Sequence, residues 1–187
     1  MVEESVTKLF GDLVDRDFLI ATEETGLATD LWSSVVELGI DRILASEANG
    51  GMGGSWQDVH PVARACGVFA VPLPIPEVII ATWLLEKAGL GLRTGIPGLL
   101  PVSLPEVSDD AQLNTTVAHV PWGRHADFFI GLRPSGSTTQ LVVIEASQAS
   151  IDADQNLSRD PRDRVIFENA AISESAPIDQ AEDSIRW

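Results

Sequence analysis

The hydrophobic pattern of the chain changes near residue 95, and this change limits the folds that the chain can adopt. Before that point apolar residues recur at helical spacing, whereas after it they form short runs rich in β-branched residues. Helices followed by strands, without alternation between the two, are typical of an α+β fold. We therefore predict an all-α half followed by a small β half.

Four segments of the first half have apolar residues at helical spacing: about 2–20, 31–38, from 55–58 onward, and 77–88. Thr29 or Asp30 is predicted to cap the second helix, and Gly39 to end it. The proline-rich segment 71–76 is predicted to be extended, because each proline disfavours a helical residue before it. The last helix is apolar nearly all round, which predicts a buried position.

Five segments of the second half are predicted to be strands: 99–104, 117–122, 127–133, 140–146 and 164–168. The residues 134–137 (PSGS) between two of them are typical of a hairpin loop. From Ser173 to Trp187 the chain is polar and acidic, and its apolar spacing is too sparse to define a core helix.

The charge of the chain excludes several classes of partner. Twenty-eight acidic against twelve basic residues give a net charge of −16. This charge would repel a phosphate backbone or an anionic membrane surface, so we predict no nucleic-acid and no membrane partner. The N-terminus lacks the pattern of a secretory signal, and the most apolar stretch, 68–85, is interrupted by prolines. A cytoplasmic location is the corresponding prediction.

Single residues give little evidence of chemistry. Cys66 is the one cysteine, so no internal disulfide or cysteine-based zinc site is possible, and its apolar helical face predicts a buried, inert thiol. The three histidines, His60, His119 and His125, lack metal-ligand spacing, so no metal is predicted. The glycine run 50–54 lacks the Gly-Lys-Ser/Thr ending of a phosphate loop, which favours a turn that needs positive φ or close packing.

Several motifs in sequence order resemble the acyl-CoA dehydrogenase (ACAD) family. The Leu-Gly pair 38–39 and segment 46–58 (SEANGGMGGSWQD) are similar to the glycine turn and helix start of its N-terminal domain. Segments 65–74 and 81–89 are similar to the family's next two helices. Segment 120–127 is similar to the Ile-Thr-Asn-Gly-x-x-Ala-Asp motif of the family's β domain, and segment 160–167 is similar to that domain's last strand. The resemblance covers about residues 1–175.

The resemblance implies a domain organisation. It assigns 1–95 to an N-terminal helical domain, 96–175 to an antiparallel middle domain like a β-barrel, and 176–187 to the start of a linker to a C-terminal helical domain absent from this chain. Members of the family bind FAD and desaturate an acyl-CoA thioester, with hydride transfer to the flavin and a glutamate base in the C-terminal domain. No residue of this chain is therefore proposed as the catalytic base.

The positions that face the flavin in the family differ here. Where the family has Thr-Glu-Pro-x-Ala-Gly-Ser-Asp, this chain has 102–109, in which Ser103 keeps a hydroxyl. The threonine of Ile-Thr-Asn corresponds to Pro121, which has neither a hydroxyl nor an N–H group. Trp122 replaces the asparagine and is predicted either to stack on a bound ring or to pack in the barrel. Ser103 and Trp122 are the candidate cofactor-binding residues, and FAD is the implied cofactor.

The resemblance leaves three interpretations open. The chain is a part or subunit of a flavin-dependent ACAD, inactive alone, with an acyl-CoA substrate and homo- or hetero-oligomeric ACAD-type partners. Alternatively, it is a non-catalytic assembly subunit of a heteromeric ACAD, such as those of actinobacterial steroid side-chain degradation. A free-standing acyl-CoA-binding module is disfavoured because the basic residues are spread thinly along the chain. The first two interpretations predict an exposed apolar face, and either self-association or association with a partner chain.

Overall fold

The computed structural model describes residues 2–106 and 112–178. The chain divides into two compact units, Met1–Trp83 and Leu84–Trp187. The predicted α+β class is confirmed, since helices precede strands. No helix in the described ranges is both long and apolar enough to cross a membrane.

Five α-helices lie in the first part of the chain: α1 (Val2–Leu13), α2 (Arg16–Thr25), α3 (Thr29–Glu37), α4 (Trp56–Val68) and α5 (Ile75–Lys87). The helix α4 begins within the predicted range 55–58, and Ser55 and Asp58 form a capping box at its start. The helix α5 begins two residues before the predicted start, with Pro76 in its first turn, where a missing N–H group costs nothing.

The single helix predicted over 2–20 is wrong, because two helices occupy this region. The helix α1 ends at Leu13, and the side chain of Asp15 accepts a hydrogen bond from the Phe18 N–H group at 2.8 Å. Asp15 has an extended backbone (φ −107°, ψ −178°), which is typical of an N-cap residue. This cap starts α2 anew and allows the two helices to differ in direction.

The core of the first unit is built from one face of each helix. Val6 and Phe10 of α1 are fully buried, as is Val35 of α3. Phe10 meets the ring of Phe69 edge-on, at a centroid distance of 6.4 Å.

In the described residues after α5 there are seven strands: β1 (Pro97–Ser103), β2 (Leu113–Pro121), β3 (Phe128–Ser135), β4 (Thr138–Glu145), β5 (Ala149–Asp152), β6 (Arg162–Ala170) and β7 (Glu174–Pro177). They form a four-stranded sheet in the order β1-β3-β4-β7 and a three-stranded sheet in the order β2-β6-β5. The predicted hairpin at 134–137 is confirmed, since β3 and β4 pair in antiparallel register from Ser135 with Thr138. The pair β1–β3 is parallel, whereas the other pairs are antiparallel.

The core of the second unit lies between inward-facing side chains of both sheets. Phe129 and Phe167 are 0% and 1% exposed and meet edge-on, with ring centroids 5.5 Å apart. Gly131 of β3 allows close packing, because a Cβ atom there would lie 3.0 Å from Cδ1 of Leu100. An apolar cluster within the described residues thus contains side chains of both sheets.

Candidate functional site

The turn between β2 and β3 carries the segment in which the resemblance predicts the flavin contacts. Pro121 ends β2, and Trp122 follows with a left-handed backbone (φ +54°). The Trp122 N–H group donates to the Pro161 carbonyl at 3.2 Å. At Gly123 a Cβ atom would lie 3.1 Å from Cγ2 of Val165, so the turn packs closely on β6. The backbone of this turn is therefore specific in shape.

A buried ion pair fixes the turn to β6. Asp163 is completely buried, and its carboxylate accepts hydrogen bonds from Nε and Nη2 of Arg124 at 2.9 and 2.5 Å. It also accepts from the backbone N–H groups of Arg124 at 2.7 Å and of Asp154 at 3.0 Å. These donors satisfy both oxygens, as a buried carboxylate requires.

The pKa values of Asp163 and His125 are both lowered, which favours the charged form of Asp163 and the neutral form of His125. Burial raises the pKa of Asp163, but the hydrogen bonds from Arg124 and from the Asp154 backbone outweigh burial and leave the pKa below its usual value. Burial lowers the pKa of His125, and the charge of Arg124 lowers it further, against an opposing effect of Asp163. Asp163 is therefore a stable anion, and His125 favours its neutral form.

The structure places Trp122 mainly in a packing role. Its side chain is only 6% exposed, and its ring lies 5.8 Å from the His125 ring at 46°. Little ring surface is free to stack on a bound ring. Nε2 of His125 is buried without a hydrogen-bond partner in the described parts of the chain. Stacking of Trp122 on a cofactor stays a prediction, for which this geometry offers no support.

Ser103 does not belong to this turn. It is exposed at the end of β1 and lies opposite Leu132 of β3. Leu132 is four positions after Phe128, the first residue of β3, which corresponds to about 13 Å along the strand. The rest of the candidate flavin segment, from Val107 to Asp109, lies outside the described residues.

The end of the turn is fixed to the start of β1. Asp127 accepts a hydrogen bond from the Ile96 N–H group at 2.7 Å, and its own N–H group donates to the Ile96 carbonyl at 2.8 Å. Nearby, Arg93 pairs with Glu145 at 2.5 Å and with Glu174, and its guanidinium lies 4.9 Å from the centroid of the Phe128 ring. Asp127 thus holds the end of the turn to the start of β1, and Arg93 joins β4 to β7.

The remaining predicted groups show no sign of chemistry. Burial, with a smaller contribution from Glu77, raises the pKa of Cys66 to about 12, which agrees with an inert thiol. Among the described residues no group of three or more His, Cys, Asp or Glu side chains is arranged to hold a metal ion.

Sequence reasoning missed Asp163 and Arg124, although a signal was present. Asp163 shares the inward face of β6 with Val165 and Phe167, at positions two and four residues further on. A carboxylate on an apolar, inward face requires a buried partner. The alternation therefore predicts a paired anion, but it does not identify Arg124, which lies 39 residues earlier.

The fold and the strand order define the class of structure to which this chain is similar. No protein-family model and no curated protein sequence matches the chain. Solved structures do match. The Tcur3481–Tcur3483 steroid ACAD (G363A variant) superposes with a TM-score of 0.82 at 17% identity, and the ChsE4–ChsE5 complex from Mycobacterium tuberculosis with 0.83 at 14% identity. The FAD complex of PigA has a TM-score of 0.73 at 16% identity.

These similarities establish the fold. Each covers 98% of this chain but only 58% or 59% of the matched chain, so this chain spans a little over half the length of the proteins that it resembles. The fold expected from the ACAD resemblance is confirmed. The match includes both the helical part and the two sheets, in the order that the sequence predicted.

Proposed function

We propose that this chain is a component of a flavin-dependent acyl-CoA dehydrogenase and does not catalyse the reaction by itself. The reaction at family level is α,β-desaturation of an acyl-CoA thioester, with FAD as the hydride acceptor. The proposal is supported by the fold, by the FAD bound in one matched structure and by the printed description of another as a steroid ACAD. No described residue is assigned as the base.

One observation supports the proposal that the chain does not catalyse the reaction by itself. At the position where the family has a flavin-binding threonine, Pro121 offers neither a hydroxyl nor an N–H donor. The neighbouring Trp122 is 6% exposed, so its indole is committed to packing. Two missing directed hydrogen bonds weaken cofactor binding by about 1–3 kcal/mol each. The residues present therefore do not fit a complete flavin site, and we derive no reaction step through one.

A non-catalytic assembly subunit is the second candidate, and the same turn favours it. Arg124 and Asp163 bind each other and the backbone, so the charged groups of the turn serve its structure. Two of the matched structures are described by two protein names each, Tcur3481–Tcur3483 and ChsE4–ChsE5. A chain that keeps the fold while losing cofactor contacts suits assembly with a second ACAD-type chain.

The visible absorption spectrum of the purified chain tests the proposal. The spectrum is recorded as purified, and again after incubation with FAD and desalting. We expect no retained flavin absorption in either case. A retained, stoichiometric flavin spectrum would show a usable site despite Pro121 and would contradict the dependence on a partner.

A further inference from the structure

The first helix carries two apolar stripes, although one is enough to hold it in the core. Val6 and Phe10 are fully buried and form the inner stripe. Val2, Leu9 and Leu13 form a second stripe at spacings of seven and four residues, which lie on one helix face. Leu13 is 44% exposed, and the other two are half-buried. Val2 and Leu9 pack in part against the core, so the exposed apolar surface of this outer stripe lies mainly at Leu13.

A second apolar wall faces this outer stripe. Leu38, Ile40 and Met52 line the same concave surface as Val2 and Val6. Leu38 and Met52 are 41% and 43% exposed. Apolar side chains that remain this exposed around one concavity are typical of an interaction site.

The glycine run holds Met52 in this wall. Hydrogen bonds join the N–H groups of Gly51, Met52, Gly53 and Gly54 to carbonyls of residues 42–46, at 2.7–3.2 Å. At Gly51 a Cβ atom would lie 2.2 Å from the Ala45 carbonyl oxygen, so the turn lies directly on the preceding segment. The Met52 side chain extends over Gly39, where an added Cβ atom would lie 3.4 Å from its Cγ. The glycine run 50–54 thus forms a closely packed turn that positions the exposed side chain of Met52.

The two walls enclose a continuous groove. It consists of a space of about 380 Å³ beside Leu9, Leu13 and Leu38 and one of about 140 Å³ beside Val2, Ile40 and Met52. Both spaces are lined by Ser5 and Leu38, so they adjoin. Between Val2 and Leu13 the groove follows α1 for about 16 Å, which is about three turns of a helix. We call this surface the α1 groove.

Charge identifies the occupant that suits the α1 groove. Asp12 and Lys8 line it, and Glu3 and Glu4 lie beside Lys8 on the adjoining surface of α1. The lining itself is balanced, with Asp12 against Lys8, whereas the surface including Glu3 and Glu4 has three acidic groups against two basic ones, since Arg64 lies 4.0 Å from Glu3. The whole chain has a net charge of −16, so a second copy and an anionic membrane are both repelled. A basic partner is attracted.

We propose that the α1 groove binds an amphipathic helix of a partner chain, with apolar residues along one face and lysine or arginine beside them. This proposal rests on the proposed function in one respect, namely that the chain works in a complex. Helix-in-groove recognition uses apolar anchors at i, i+4 and i+7, which match the length and lining of this groove.

A designed peptide tests the proposal without the natural partner. The probe is a labelled peptide of about 14 residues, with leucines on one helical face and lysines elsewhere, and its binding to the full chain is measured by fluorescence anisotropy. We expect saturable binding. We expect the double variant Leu13→Ser/Leu38→Ser to weaken binding at least about tenfold, since it removes two apolar contacts. Ile20→Ser is the matched control, because Ile20 is similarly exposed (48%) and lies outside the lining residues.

Two further probes make the test specific. A peptide with glutamate in place of lysine, and one of the same composition without an apolar face, are both expected to bind at least about tenfold more weakly. Equal binding of all three peptides, or equal losses in the groove variant and in Ile20→Ser, would overturn the proposal. So would concentration-dependent dimerisation of the chain that the groove variant abolishes, since the occupant would then be a second copy.

The outcomes separate this proposal from the proposed function. The peptide experiment involves no flavin and no ACAD-type chain, so its failure leaves the flavin result unaffected. Retained flavin in the purified chain, in turn, contradicts the proposed dependence on a partner for flavin binding and does not change the result of the peptide experiment.

Discussion

The buried carboxylate of Asp163 gives the sharpest test of how the second unit is held together. Asp163→Asn keeps the size of the side chain but removes its charge and one acceptor oxygen. The native carboxylate is 0% exposed and accepts five hydrogen bonds, three of them from the Arg124 side chain. We expect this substitution to destabilise the protein strongly, because a buried group loses partners that no water can replace.

The magnitude follows from the burial of each partner. Breaking a fully buried ion pair costs about 3–5 kcal/mol. The Arg124 side chain is 34% exposed and regains water when its partner is lost, which reduces the cost. We therefore expect a loss of about 2–3 kcal/mol in the free energy of unfolding. Asp152→Asn is the matched control, because Asp152 is exposed on the neighbouring strand β5.

The pH dependence gives the prediction a second readout. The pKa of Asp163 is lower in the folded protein than the usual value of 3.8, so its ion pair stabilises the fold above that pH. The stabilisation is lost as the pH falls from 3.8 through the lowered folded-state pKa. Urea unfolding at pH 7 and at decreasing pH should show a difference between wild type and Asp163→Asn that is constant above pH 5 and shrinks below 3.8. A loss no larger than that of Asp152→Asn at pH 7 would refute this reasoning.

Two further predictions concern the first unit. Gly51→Ala should destabilise the protein by about 3 kcal/mol or prevent folding, because the added Cβ atom would lie 2.2 Å from the Ala45 carbonyl oxygen. Gly91→Ala, where nothing lies within 4 Å, should be nearly neutral in the same thermal unfolding assay, and equal effects would contradict the packing argument. With its pKa raised to about 12, Cys66 should react with a disulfide reagent at pH 8 far more slowly in the folded chain than in urea. Similar rates in both states would show an accessible thiolate.

The sequence predicted the types of most elements because their periodicity is strong. The helix start near 55–58 and the hairpin at 134–137 are local signals, and both are confirmed. The break at Asp15 was missed because apolar spacing continues across it, so the cap competed with a stronger periodic signal. Local patterns thus fixed element types better than element ends.

Other features depend on contacts between distant parts of the chain. The strands β5 and β7 are four residues each and expose alternate or most side chains, so their sequences carry little signal. Hydrogen bonds to neighbouring strands stabilise them, since β5 pairs with β6 and β7 pairs with β4. The parallel pairing of β1 with β3 likewise depends on a contact between distant residues, because β2 lies between these strands in the sequence and belongs to the other sheet.

The candidate site was predictable in position but only partly in content. The motif resemblance assigns the proposed flavin contacts to the turn at 120–127, and the absence of a hydroxyl and of an N–H group at Pro121 follows from residue identity alone. The burial of Trp122 required the structure, because a tryptophan after a strand suits stacking and packing equally well. The division of the chain into 1–95, 96–175 and 176–187 stays a prediction.

Binding of FAD to a Pro121→Thr variant tests the central claim most directly, namely that this turn keeps the fold of a flavin site without its donors. Wild type, Pro121→Thr and the control Pro134→Thr, also a half-buried proline near a strand end, are titrated with FAD by flavin fluorescence. We predict weak binding by wild type and by the control, and binding about tenfold tighter by Pro121→Thr, which regains a hydroxyl and an N–H group. Tight binding by wild type, or equal affinities of all three chains, would contradict the claim.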